Sequence, residues 1–239
     1  MVLWLRHRRL LWSILVALAT LLLTLLLTGR QTRPTAVGGE ISSPGTVIVL
    51  DAGHGGAVSP DGVPESGINL QIVRKAEGLL VFLGRSVRLT RTGEEAIYSP
   101  EAQTLREKKV SDLKNRVALI NALPHAVLLS IHQNFFTEGK YHGAQVFYAK
   151  TPGSQQLAEQ LQSNLALGLE PDNHRQCKKS DGVYLMEHID CTGVLVECGF
   201  LSNYEEEQRL LQPEYQKKLA AVIAGTLSVW LSEEHPNEI

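Results

Sequence analysis

Short runs of aliphatic and β-branched residues alternate along most of this chain with longer segments whose apolar residues recur at helical spacing. The short runs predict buried strands at residues 47–50, 86–90, 126–131, 144–149 and 194–198. The longer segments predict helices at residues 70–82, 111–121, 154–167 and 213–231. Because strands and helices alternate, we expect a three-layer α/β domain in which a twisted, largely parallel sheet is flanked by helices.

A different pattern occupies the N-terminus, where residues 10–28 contain no charged side chain. As a helix, this segment would span roughly 28 Å at about 1.5 Å per residue, close to the ~30 Å hydrocarbon core of a bilayer. Arg6, Arg8 and Arg9 precede it, which favours a cytoplasmic amino terminus with the remainder of the chain outside the membrane. We therefore expect a basic cytoplasmic segment at 1–9 and a transmembrane anchor at 10–28, with a signal peptide as the alternative.

The rest of the chain predicts a single extracytoplasmic domain. Residues 29–45 are rich in Gly, Thr, Ser and Pro, which is typical of a flexible linker. Residues 46–235 suffice for one domain with a substantial core. Five of the 23 basic residues lie within the first 33 positions and all 25 acidic residues follow, so the outer part has 18 basic residues and a formal charge of −7. That charge argues against nucleic acid as a partner.

Three residues in or next to the predicted strands form a candidate metal site. His54 follows the strand at 47–50, in the segment Asp51-Ala52-Gly53-His54-Gly55-Gly56. Ligands of open α/β sheets bind at the carboxyl ends of strands, which is the position of His54. The alternative is a structural role, which also suits an isolated His between glycines. Glu65 precedes the helix at 70–82, and His132 closes the strand at 126–131. His, Glu and His are the ligand set of a catalytic zinc site that leaves one position for water. The three cysteines lack the spacing of a structural zinc site.

A fourth ionisable residue, Glu197, interrupts the apolar run at 194–200. A buried carboxylate is costly unless it is protonated, paired or close to a metal. Glu197 is therefore a candidate general base for a zinc hydrolase, with an outward-facing glutamate at a strand edge as the alternative. His188 is the alternative metal ligand. A disulfide between Cys177 and Cys191 is compatible with a domain outside the membrane, but the spacing of these cysteines does not support it.

These residues carry a family resemblance. Segments 47–56, 130–134 and 196–203, together with the loop at Glu65, resemble the zinc-dependent N-acetylmuramoyl-L-alanine amidases of the amidase 3 family, over roughly residues 46–231. The resemblance implies one Zn²⁺ held by His54, Glu65 and His132, with Glu197 as the catalytic base. It also implies hydrolysis of the peptidoglycan amide that joins the lactyl group of N-acetylmuramic acid to L-alanine of the stem peptide.

Finer features are similar to the germination-specific, CwlD-type amidases of endospore formers, namely Glu65-Ser66 with Asn69-Leu70 and segments 109–116, 145–148 and 197–203. In that subfamily the amidase removes stem peptides so that a peptidoglycan deacetylase can form the muramic-δ-lactam of spore cortex. This similarity implies a membrane-anchored enzyme in the cell envelope or forespore intermembrane space, and family members often depend on a protein activator. The loop 55–65 is a departure, because it is short and lacks the common Asp-x-Gly-Ala run. The alternatives are a vegetative wall amidase or autolysin, another zinc peptidase, and a non-catalytic muropeptide-binding protein.

Four more polar residues are candidates around this site. Asn134 would contact substrate or stabilise a turn. Arg91 and Arg116, placed where the family usually has an arginine, would bind a stem-peptide carboxylate or form structural ion pairs. Asp51 would orient His54 as a hydrogen-bond acceptor or serve as a turn residue.

Overall fold

The computed structural model describes residues 45–54 and 65–234. The predicted anchor at 10–28, the linker up to residue 44 and the loop at 55–64 lie outside the described residues. The chain divides into the units Met1–Ser42 and Ser43–Ile239, and every described residue belongs to the second. Within the described ranges, no helix is long and apolar enough to cross a membrane.

A six-stranded sheet with the order β2-β1-β3-β6-β4-β5 forms the centre of this unit. The strands are β1 (Val47–Ala52), β2 (Ser86–Leu89), β3 (Ala126–Asn134), β4 (Gln145–Tyr148), β5 (Lys178–Lys179) and β6 (Thr192–Phe200). Strands β2, β1, β3 and β6 are parallel neighbours, whereas β4 is antiparallel to β6. The connection 135–144 joins the carboxyl end of β3 to the amino end of β4. Because β4 is antiparallel to β6, β4 begins beside the carboxyl ends of β3 and β6.

Helices cover both faces of this sheet. They are α1 (Glu65–Phe82), α2 (Leu105–Asn121), α3 (Ser154–Leu169), α4 (Tyr184–His188), α5 (Tyr204–Leu210) and α6 (Pro213–Glu234). Leu50, Leu129 and Val196 pack in one buried cluster with residues of α1, α3 and α6. Leu128 and Leu195 face the opposite cluster, which includes residues of α2 and α4. The central strands are therefore apolar on both faces, as buried parallel strands are, and the predicted mixed α/β fold is confirmed.

The structure extends the predicted elements at functionally relevant ends. Helix α1 begins at Glu65 rather than at residue 70, and β3 continues to Asn134, so His132 lies within a strand. Helix α2 begins at Leu105 because Thr104 and Glu107 form a capping box, a start that the spacing of apolar residues does not reveal. Strand β5 and helices α4 and α5 were not predicted, since elements of 2 to 7 residues carry little periodicity.

Candidate active site

The three predicted metal ligands meet beyond the carboxyl ends of β1 and β3. His54 follows β1, Glu65 begins α1 and His132 lies near the end of β3, and one donor atom of each lies within 4.8 Å of the others. His54 Nε2 is 3.5 Å from Glu65 Oε2, and His132 Nδ1 is 3.6 Å from Glu65 Oε1. Two imidazoles and one carboxylate around a common point form a donor set that fits Zn²⁺.

The charges of these three groups depend on one another. Burial lowers the pKa of His54 and outweighs the attraction of the Glu65 carboxylate. Burial also lowers the pKa of His132, but the hydrogen bond with Glu65 and the charge of Glu197 outweigh it, so that this pKa is raised. For Glu65, burial raises the pKa, yet the two histidines bring it below its ordinary value. An ionised Glu65 is the form that binds a metal cation.

The turn that carries His54 has an unusual backbone. His54 adopts a φ of 52°, in the left-handed region that few residues other than glycine occupy. The preceding residue, Gly53, lies directly against the His132 ring, since a Cβ at this position would be 2.2 Å from His132 Cε1 and Nε2. The absence of a side chain on Gly53 is therefore what allows the two histidines to approach, with ring centroids 4.9 Å apart.

Two buried arginines stabilise this turn by donating hydrogen bonds to its backbone carbonyl groups. Arg91 Nη2 donates to the carbonyl oxygens of Gly53, at 3.1 Å, and Ser66, at 2.8 Å. Arg116 Nη2 donates to the carbonyl oxygen of His54 at 3.4 Å. Arg91 is 3% exposed and Arg116 is 2% exposed. Their burial and their backbone contacts favour a structural role over the predicted binding of a stem-peptide carboxylate.

Asp51 does not contact the His54 ring in the way the sequence suggests. Its Oδ1 accepts from Arg116 Nη1 and Thr90 Oγ1, both at 2.5 Å, and its Oδ2 accepts from Ser130 Oγ at 2.6 Å. Burial raises the pKa of Asp51, but Arg116 and the two hydroxyl groups outweigh it and lower the pKa. Asp51 therefore acts on His54 through Arg116, which is a correction to the predicted direct hydrogen bond.

Asn69 and Gln133, which were not among the predicted site residues, orient the Glu65 carboxylate. Asn69 Nδ2 and the Gln133 backbone N–H each donate to Glu65 Oε1 at 3.1 Å. Gln133 Nε2 in turn donates to Asn69 Oδ1 at 3.0 Å. The i,i+4 spacing of Glu65 and Asn69 is a sequence signal that would have found Asn69. Gln133 has no such signal, because its contact depends on how β3 lies beside α1.

Glu197 lies beside the metal-ligand cluster, because Glu197 of β6 pairs in register with His132 of β3. Its Oε2 is buried and has no hydrogen-bond partner among the described residues. Burial raises the pKa of Glu197 to about 7, with Glu65 adding to the increase and His132 opposing it. A carboxylate with a pKa near neutrality can both accept and return a proton.

The remaining candidates lie around or away from this cluster. The side chain of Asn134, the last residue of β3, forms no hydrogen bond with any described residue, so the turn-stabilising alternative is not observed. His188 is stacked on Tyr184, with Nδ1 2.8 Å from the Tyr184 carbonyl oxygen, and does not belong to the ligand cluster. Cys177 and Cys191 are free thiols, so the disulfide considered from the sequence is not formed.

Several known proteins are similar to this chain in sequence or in fold. The family model of N-acetylmuramoyl-L-alanine amidases matches residues 48–228. The chain is 34% identical over 202 residues to the germination-specific N-acetylmuramoyl-L-alanine amidase of Bacillus subtilis, covering 81% of this chain and 84% of that protein. It is 29% identical to the B. subtilis amidase LytC, over 82% of this chain but 38% of LytC. The CwlD amidase from Clostridioides difficile, solved in complex with the GerS lipoprotein, matches with a TM-score of 0.75 and 37% identity, over 79% of this chain and 99% of that one.

Proposed function

Because this chain belongs to the N-acetylmuramoyl-L-alanine amidase family and acts on peptidoglycan, we propose that it cleaves its substrate with one zinc ion held by His54, Glu65 and His132. The observation that carries this proposal is the convergence of the three donor atoms within 4.8 Å of one another. Glu197, with a buried carboxylate oxygen that lacks a partner among the described residues, completes the site as the proposed catalytic base.

The proposed chemistry divides between the ion and the protein. Zinc in such a site acidifies water and polarises a carbonyl group. Glu197 accepts the proton of the attacking water and then donates it to the nitrogen of the departing L-alanine. The nitrogen must be protonated before it leaves, and the buried Glu197 carboxylate is a group that can serve both steps. Asn69 and Gln133 keep Glu65 oriented, while Arg91 and Arg116 support the backbone around His54.

Glu197→Gln tests this assignment, because the amide keeps the shape of the side chain but cannot take up the proton. We expect the variant to retain zinc and to lose about 10²- to 10⁴-fold in turnover, the usual contribution of general acid–base catalysis. His54→Ala and His132→Ala should instead lose the metal, as measured by atomic absorption after dialysis. Near-normal turnover of Glu197→Gln would remove Glu197 from the mechanism.

Product analysis separates the amidase from the other classes. Purified peptidoglycan is digested and the products are identified by mass spectrometry. Free stem peptides that begin with L-alanine support the amidase, and cleavage inside the peptide indicates a zinc peptidase. Absence of products from the zinc-loaded protein, with the lipoproteins of the same cell added, indicates a muropeptide-binding protein.

The proposed biological role is muramic-δ-lactam formation in spore cortex, followed by a peptidoglycan deacetylase. The support for this role is the similarity to the germination-specific amidase. Spores that lack the protein should then lack the lactam. Persistence of the lactam would favour the vegetative wall role, for which the similarity to LytC is the supporting observation.

We also propose a membrane-anchored location outside the cytoplasm and a protein partner. The location rests on the uncharged segment at 10–28 and the arginines that precede it. It predicts that protease added to spheroplasts degrades the catalytic domain. The partner rests on the CwlD amidase having been solved in complex with a lipoprotein. It predicts that a lipoprotein of the same cell raises the activity of the purified protein.

A further inference from the structure

A cavity lies beside the carboxyl ends of the strands that carry the metal ligands. This cavity of about 270 Å³ lies between the connection that precedes β4 and the connection between α3 and β5. Its wall includes the basic or titratable side chains of Lys140, His142, His174 and Arg175, with Asp172 as the acidic residue. The Lys140 ammonium is already paired with Glu138, which leaves Arg175 as the cation to consider.

The sheet connects this cavity to the candidate active site. His132 of β3 pairs with Glu197 of β6, and Glu197 pairs with Gln145 of β4. Directly paired residues project from the same face of a sheet, so these three side chains form a row across β3, β6 and β4 near the carboxyl ends of β3 and β6. Gln145 Oε1 accepts a hydrogen bond from Arg175 Nη1 at 3.3 Å. Arg175 is therefore the next group in the row that begins at the metal ligand.

The Arg175 guanidinium is held in place by groups that leave its charge uncompensated. Its Nε donates to the carbonyl oxygen of His142 at 2.8 Å, and its central carbon lies 4.8 Å from the centroid of the Phe200 ring. No carboxylate of the described residues forms an ion pair with it, Asp172 included, and its Nη2 has no hydrogen-bond partner among them. In contrast, Arg209 is paired with Glu170 and Glu206. A fixed guanidinium with an available nitrogen suits a carboxylate ligand.

We propose that this cavity binds a free carboxylate of the peptide that leaves the reaction, and that Arg175 is the residue that recognises it. The inference rests on the proposed function, in which Glu197 hands a proton to the leaving amine. The amine must then lie on the Glu197 side of His132, and the peptide attached to it continues across the sheet towards Gln145 and Arg175.

Distances along the sheet fit a carboxylate near the start of that peptide. Neighbouring strands lie about 4.8 Å apart, so Gln145 lies one such spacing from Glu197, and Arg175 Nη1 lies 3.3 Å beyond the Gln145 side-chain oxygen. An extended peptide advances about 3.3–3.6 Å per residue, so two residues span about 7 Å, which is of the same order as the distance from Glu197 past Gln145 to Arg175. The cavity is therefore a specificity subsite for an acidic second residue of the stem peptide.

Two matched muropeptides test this subsite, one with a free carboxylate on the second residue and one with that carboxylate amidated. We expect the wild-type enzyme to prefer the free acid by about tenfold or more in kcat/KM, mainly through KM, since a charge-assisted pair is lost with the amide. Arg175→Gln should abolish the preference between the two substrates, because an uncharged amide cannot form the charge-assisted pair with the carboxylate. Arg175→Lys should keep only part of the preference, because an ammonium lacks the planar fork of guanidinium.

Lys178→Gln is the control for a general loss of positive charge, because Lys178 is an exposed residue of β5 outside the cavity wall. It should retain the full preference. Equal losses on both substrates for Arg175→Gln, or no preference in the wild type, would overturn the subsite while leaving the amidase assignment intact.

A binding measurement separates failure of the subsite from failure of the proposed function. Calorimetry with the zinc-loaded wild-type protein measures, without turnover, the affinity for two dipeptides that begin with L-alanine, in which the second residue carries either one free carboxylate or its amide and has no other free carboxylate. Tighter binding of the acid, lost in Arg175→Gln, supports the subsite even if neither muropeptide is cleaved. Equal binding of the two dipeptides refutes it.

Discussion

Substitution of Gly53 by alanine should disrupt the metal site with the smallest possible change of side chain. The added Cβ would lie 2.2 Å from two atoms of the His132 ring, whereas ordinary contacts begin at 3.4 Å, so the ring must retreat by about 1.2 Å. Zinc–ligand distances tolerate changes of only about 0.2 Å. The ring also faces His54 and Glu65, so it cannot move without disturbing the other two donors.

We therefore expect Gly53→Ala to bind zinc at least ~100-fold more weakly than the wild type, because loss of a group that merely orients a ligand already costs about 10- to 100-fold. Zinc affinity is measured by competition with a chromophoric chelator, and amide hydrolysis is measured on the same preparations. Activity should fall with zinc occupancy and recover in part at high zinc concentration.

Gly78→Ala is the matched control, since Gly78 lies in α1 with open space where its Cβ would be. It should retain zinc affinity and gain about 0.5–1 kcal/mol of unfolding free energy from the better helix former. Wild-type zinc affinity in Gly53→Ala would refute the argument that this glycine is required by the position of the His132 ring.

Three further substitutions probe buried polar groups, two of them close to the metal ligands and the third, Glu206, in α5. Arg116→Met leaves the buried Asp51 carboxylate without its cation and should lower the free energy of unfolding, measured in urea, by about 3–5 kcal/mol. Adding Asp51→Asn in the same chain should recover part of that loss, and strictly additive losses would contradict a coupled pair. Asn69→Ala removes a donor to Glu65 and should weaken zinc binding by about 10- to 100-fold, so unchanged affinity in a chelator titration would show that Asn69 is dispensable. Burial and the nearby negative charge of Glu170 raise the pKa of Glu206 from 4.5 to about 7, so the folded state binds the extra proton in this range and stability falls as pH rises from about 4.5 to about 7. The pH series of melting temperatures should be flatter for Glu206→Gln, and identical slopes would contradict this assignment.

The elements that position the metal site were predictable because burial leaves a direct trace in the sequence. The apolar runs of β1, β3 and β6 are buried on both faces of the sheet, so their hydrophobic residues are continuous and easily recognised. Parallel strands bring their carboxyl ends to one edge, which is why His54, His132 and Glu197 were expected near one another. The start of α1 at Glu65 was missed because its first turn buries Ser66 and Asn69, which are polar.

Buried polar contacts were much harder to predict. Arginine is rarely buried, so nothing in the local sequence distinguishes Arg91 and Arg116 from surface residues. Their burial is possible because backbone carbonyl groups accept from Arg91 and because Asp51, 65 residues before Arg116, supplies the opposite charge. For the same reason Asp51, expected to contact His54, is engaged by Arg116 instead.

The sequence by itself thus determined the alternation of strands and helices, the family and the residue types of the proposed zinc site, since these depend on local hydrophobicity and short motifs. Only the tertiary structure decided which groups lie in contact. The closeness of Gly53 to the His132 ring and the row from Glu197 through Gln145 to Arg175 depend on strand order and register. These are contacts between segments distant in the chain, and no local pattern of residues encodes them.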